Sequence, residues 1–111
     1  MLDIHDTDAA GARVLQLTGR LDTNTSTVFD KHCAERVGLD DRVAVDLAGV
    51  DYVSSAGLRV FLMLAKKLQK GGGRLVLCGL APAVREVFDI AGFSRILTLV
   101  ADRDAALAQL R

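Results

Sequence analysis

Two adjacent serines, Ser54 and Ser55, followed by Ala56 and Gly57, are the residues of this sequence best suited to chemistry. They stand between a strand-like run and the strongest helical pattern in the chain, so their hydroxyls are expected at a helix N-terminus. The free N–H groups and partial positive charge there favour an anion. A serine in that place can cap the helix or act as a nucleophile. Capping needs only one serine. The reciprocal Glu or Gln of a capping box is missing, because Gly57 and Leu58 hold the third positions after the serines. A catalytic serine would want a Gly-x-Ser-x-Gly elbow and a suitably placed histidine, and Ser55 has neither in sequence. Gly57 costs a helix roughly 1 kcal/mol against alanine. It is expected to let another molecule's backbone or a phosphate come close.

Other candidates carry less chemistry. Asp22 and Asp46 each close a strand-like run near the same expected edge. They either bond the local backbone or shape a surface for a partner's basic groups. Asp51 reads as loop. His5 and His32 are far apart with no acidic or cysteine cluster beside them, so no metal site is expected. Cys33 and Cys78 form no CxxC and are expected to be reduced core thiols. Gly71-Gly72-Gly73 lacks the Lys-Ser/Thr of a phosphate loop and reads as a turn.

The elements that must position these residues alternate between two periods. Strand patterns run over Met1–Asp6, Ala12–Thr18, Arg42–Leu47, Arg74–Cys78 and Ile96–Val100. Helical patterns run over Thr25–Val37 after capping candidates Thr23, Asn24 and Thr25, over Leu58–Lys70, over Ala81–Ala91 with Pro82 in the first turn, and after Asp102 to the end. Leu58, Phe61, Leu62, Ala65 and Leu68 share one face of the second helix, widened by Val60 and Leu64. Met63 projects from the other side; a helix buried between layers is the expectation, and an exposed Met on a partner patch the alternative. Val84, Val87, Phe88 and Ala91 are expected to line the inner face of the third helix, and Leu107 and Leu110 that of the last. The order β-β-α-β-α-β-α-β-α predicts an α/β domain spanning residues 1–111. Its sheet would be mixed but mostly parallel, with an N-terminal antiparallel edge strand and about four helices.

Composition bounds the function. The 111 residues are 50% hydrophobic and 25% charged with zero formal net charge. That supports one folded domain and gives no electrostatic footprint for nucleic acid. No apolar run approaches the roughly 18 residues of a membrane span, and the start shows no signal peptide. A cytoplasmic protein without membrane insertion is the expectation.

The run Val45-Asp46-Leu47-x-x-Val50-x-Tyr52-Val53-Ser54-Ser55-Ala56-Gly57-Leu58 resembles the signature of STAS domains, the anti-sigma factor antagonists of bacteria. Gly19-Arg20-Leu21-Asp22 resembles their Gly-x-Leu-Asp element, and Gly92-Phe93 after the third helix also fits. The resemblance covers essentially the whole chain. It implies a non-enzymatic switch that, unphosphorylated, binds an anti-sigma factor and so frees the sigma factor. The anti-sigma factor is itself a serine kinase that phosphorylates the antagonist, and a metal-dependent serine phosphatase resets it. No cofactor is implied. The accepting position corresponds to Ser55, with Asp22, Asp46, Ser54, Ala56 and Gly57 around it on the partner surface. Many members carry Asp where this chain has Ser54. The alternative is a STAS module in another assembly, transporter-associated or stressosome-like, without a kinase cycle.

Overall fold

A computed structural model describes all of residues 1–111. Strand β1 (Leu2–Ala9) turns through Ala10 and Gly11, both at positive φ, into β2 (Ala12–Leu21). This two-residue turn matches the twist of a hairpin, and the strands pair antiparallel from Ala9↔Ala12 to Leu2↔Gly19. Helix α1 (Thr23–Arg36) leads to β3 (Arg42–Val53), and α2 (Ser55–Gly71) leads to β4 (Arg74–Cys78). Helix α3 (Pro82–Ile90) and a 3-10 turn (Phe93–Arg95) precede β5 (Thr98–Val100) and α4 (Arg103–Leu110). The sheet order is β1-β2-β3-β4-β5, with every pair after the hairpin parallel. The expected mixed sheet and four helices are present.

The boundaries differ where the backbone is irregular. Thr18 and Leu47 do not end their strands, which continue to Leu21 and Val53. Between Gln16↔Asp46 and Thr18↔Gly49, and again between Gly19↔Val50 and Arg20↔Tyr52, β3 spends one residue more than β2. These bulges break the alternation that would have announced a long strand. Gly19 is fitted to its bulge: its φ is +120°, and a Cβ would collide with the Met1 carbonyl.

The sheet has two unequal cores. On one face, Leu15, Leu17, Val43, Val45, Leu75 and Leu77 pack under α1, α2 and α3. Phe61 is the centre of that layer, its ring 5.3 Å from Phe29 and 5.8 Å from Phe88. On the other face, Ala12, Val14, Ala44, Val76 and Cys78 are covered by Ala106 and Leu110 of α4, with Leu107 partly buried beside them. Cys33 belongs to the first core and Cys78 to the second, so the sheet lies between the two free thiols. Burial raises Cys33 to about 12 and Cys78 to about 11, which keeps both protonated and unreactive at neutral pH.

Two expected inward positions and one strand boundary need correction. Ala91 is exposed, because α3 ends at Ile90 and the chain turns through Gly92 in a left-handed conformation. Strand β5 begins at Thr98 rather than Ile96, which is exposed, while Leu97 before the strand is buried. Met63 is 55% exposed, so α2 is not enclosed between layers. Helix α2 stops as expected at the glycines: Gly72 takes φ +83° and the Gly73 N–H donates to the Leu68 carbonyl at 2.8 Å. No helix is long and apolar enough to cross a membrane.

Candidate functional site

The carboxyl ends of β2 and β3 lie side by side, with Leu21 paired to Val53. Each feeds directly into a helix, so α1 and α2 begin next to one another at one end of the sheet. The Ser54 N–H donates to the Leu21 carbonyl at 2.8 Å, tying the two helix starts together. This is the place where parallel sheets gather their sites.

Asp22 caps α1, in place of Thr23, Asn24 or Thr25. Its Oδ1 accepts the Thr25 N–H at 2.9 Å, while Thr25 Oγ1 accepts the Asp22 N–H at 2.9 Å. The box is closed by Thr at a position where Glu or Gln is the usual signal, so the sequence pattern concealed it. The bond from the Thr25 N–H holds the Asp22 carboxyl below its ordinary pKa, and it stays ionised. Thr25 Oγ1 also donates to the Arg20 carbonyl at 2.6 Å. The Arg20 guanidinium stacks over the Tyr52 ring at 4.4 Å. Arg20 and Tyr52 are paired across the bulged strands, so the rim beside the serines is braced by a cation–π contact.

Ser54 caps α2 by accepting the Gly57 N–H at 3.2 Å. Ser55 is left as the first helical residue, exposed and outside the cap. The two adjacent serines therefore have different tasks. Ser54→Ala is expected to lower stability by about 1 kcal/mol, the usual worth of an N-cap. Ser55→Ala, a surface change, should stay within about 0.5 kcal/mol of the parent. Urea unfolding of both variants checks this, and equal losses would mean that Ser55 shares the cap.

Gly57 serves the inside of the molecule rather than a visitor. It is buried, and a Cβ there would sit 3.1 Å from Val53 Cγ1, 3.2 Å from Leu21 Cβ and 3.3 Å from Ser26 Oγ. The missing side chain lets the first turn of α2 settle against the strand ends and α1. Ala56 remains partly accessible. Beside it, a groove of about 200 Å³ runs between Thr23, Thr27 and Asp30 of α1 and Ala56, Arg59 and Val60 of α2.

Asp46 lies apart from this cluster. It is in mid-strand, seven residues before Val53, because β3 does not end at Leu47. Its Oδ1 accepts the Ala48 N–H at 3.0 Å and its Oδ2 accepts from Arg103 Nη2 at 3.3 Å, on the side of the sheet that α4 covers. The structure thus brings together Asp22, Ser54, Ser55, Ala56 and Gly57, and separates Asp46 from them. Asp51 is within β3 rather than in a loop.

His32 does have an acidic neighbour. Its Nε2 is 2.8 Å from Asp6 Oδ2, and Arg13 Nη1 donates to both oxygens of Asp6 at 2.8 and 3.0 Å. These residues meet only because β1, β2 and α1 fold together, and nothing in their spacing announces it. No group of three or more His, Cys, Asp and Glu side chains is placed to hold a metal.

The model of the STAS domain matches residues 3–106. A protein of Bordetella bronchiseptica, provisionally named an anti-sigma factor antagonist and designated BtrV, is 41% identical over 102 residues, covering 91% of this chain and 88% of its own length. The crystal structure of an anti-sigma factor antagonist from Mycobacterium paratuberculosis superposes with a TM-score of 0.91 at 23% identity, over 100% of this chain and 95% of that one. The antagonist SpoIIAA has been solved unphosphorylated, with a TM-score of 0.81 at 18% identity over 98% of this chain and 96% of its own. Its phosphorylated Bacillus form gives 0.68 at 16%, over 100% of both chains.

Proposed function

This chain belongs to the STAS domain family, and we propose that it acts there as an anti-sigma factor antagonist switched by phosphorylation of Ser55. The observation that carries the reading is the division of labour between the serines. Ser54 is committed to the cap, and Ser55 is presented to solvent at the start of α2. The name of the Bordetella relative supports the antagonist role. The existence of a phosphorylated SpoIIAA supports the modification.

The partner is an anti-sigma factor that is also a serine kinase. It docks on the rim formed by Asp22, Ser54, Ser55 and Ala56. In its active site Ser55 Oγ attacks the γ-phosphorus of ATP. The bond from that phosphorus to the ADP oxygen breaks, ADP leaves, and the serine proton passes to the kinase's base. This chain contributes the nucleophile and its placement but no catalytic group, which is why Ser55 needs neither an elbow nor a histidine. A metal-dependent serine phosphatase returns the hydroxyl. Asp46, bonded to Arg103 at a distance along β3, supports the fold of that strand rather than the docking rim.

Phosphoserine carries about −1.5 to −2 charge at neutral pH. The N-terminus of α2 tolerates it, so the domain stays folded. A partner packed over Ser55 would have to desolvate the charge, and release follows at the interface.

Incubation with the cognate kinase and ATP is expected to add one phosphate, located to Ser55 by mass spectrometry, and the Ser55→Ala protein is expected to remain unlabelled. Full labelling of that variant would move the acceptor to Ser54 or elsewhere. No labelling of the parent would favour an interaction module without a kinase cycle.

A further inference from the structure

We infer that Arg59 is an internal receptor for the phosphate on Ser55, so that phosphorylation both adds a negative charge to the rim and takes a cation away from it. The inference rests on the reading of Ser55 as the acceptor and adds a second half to the switch.

Ser55 and Arg59 stand four positions apart on α2 and both are exposed. Positions i and i+4 are neighbours on a helix surface, with Cβ atoms about 5–6 Å apart. The Cα–Cβ bonds of a helix lean toward its N-terminus, so the Arg59 side chain, which lines the groove beside Ala56 in the unmodified protein, has a phosphate on Ser55 within its reach. The order matters too: an anion N-terminal to a cation is the favourable arrangement on a helix. Arg59 is available for the role. Every ion pair of the protein involves other residues: Asp6 with Arg13 and His32, Arg13 with Asp41, Arg85 with Asp89, and Asp46 with Arg103. Asp30, the one carboxylate lining the groove that Arg59 also lines, does not pair with it. Ser54 takes the Gly57 N–H, so the cap does not compete for the guanidinium.

Before modification, Arg59 stands beside Ala56 as a free cation at the edge of the docking rim. After modification its planar fork meets phosphate oxygens, a geometry that suits guanidinium better than ammonium. A partner carboxylate that had engaged Arg59 then loses its cation and faces the phosphate.

The pair can be read without any kinase, by placing phosphoserine at position 55 through genetic encoding and following its phosphorus NMR shift against pH. A neighbouring cation favours the dianion over the monoanion and therefore lowers the second phosphate pKa, ordinarily near 6. Arg59→Ala is expected to raise that pKa by about 0.3 unit at low salt, the size of a helix-surface i,i+4 ion pair. Arg59→Lys should restore part of the difference, and about 0.5 M salt should shrink it. A Lys70→Ala control, at the far end of α2, should leave the parent value unchanged. An Arg59→Ala protein that titrates like the parent overturns the inference. Because the phosphate is installed rather than transferred, that result would leave the acceptor assay untouched, and failure of the acceptor assay would leave this titration readable.

Discussion

Replacing Phe61 with alanine is expected to destabilise the protein by about 3–5 kcal/mol, because it empties the centre of the larger core. Phe61 has no exposed surface, and its ring joins Phe29 of α1 to Phe88 of α3 across α2. Truncation removes the ring's burial and both aromatic contacts and leaves a cavity between three helices and the sheet. For a chain of this length the melting temperature should fall by about 10–20 °C. The phosphorylated protein should behave differently. Its charge is added at an exposed helix start, so it should melt within a few degrees of the unmodified form. Thermal melts of the two proteins decide the point. A phosphorylated form that melts as low as Phe61→Ala would mean that the switch works by unfolding α2, against the interface account.

The parts of this fold that can be read in the sequence are those where one local signal controls the outcome. Helix α2 shows its apolar stripe and its closing glycines, and β4 is a short apolar run whose ends match expectation to the residue. Pro82 opens α3 because its missing N–H costs nothing there. What stays hidden depends on contacts between strands. The bulges in β3 conceal six further residues of strand after Leu47, and with them the true position of Asp46. Strand alternation puts its carboxylate on the α4 face with Ala44, but the Arg103 that meets it there is 57 residues away in sequence. The role of Gly57 is hidden for the same reason. Its freedom from a side chain is used by Leu21, Ser26 and Val53, two of which lie more than thirty residues away. The site itself is legible in part. Ser54-Ser55 announces a helix start, yet only the bond from the Gly57 N–H to Ser54 Oγ assigns the cap to Ser54 and leaves Ser55 free. Arg20 over Tyr52 has no sequence signal beyond the pairing that brings them together.

The second large effect concerns partner affinity. In the proposed complex of the unphosphorylated protein, the rim at the starts of α1 and α2 presents exposed Ser55 and partly accessible Ala56 to the partner. A dianion on Ser55 has to be stripped of water when a partner packs over it, or else the partner stays away. An exchange of about 3–4 kcal/mol lowers affinity several-hundred-fold, and that is the loss expected for phosphoserine 55. Ser55→Asp, with a single charge on a shorter side chain, should lose less, and Ser55→Ala should bind like the parent. Isothermal titration of the anti-sigma factor proposed as partner, with the unmodified and Ser55-phosphorylated proteins under one buffer and salt, decides whether charge at Ser55 drives release. Tight binding by the first and a several-hundred-fold weaker complex for the second are expected, while equal affinities would contradict release by charge at Ser55.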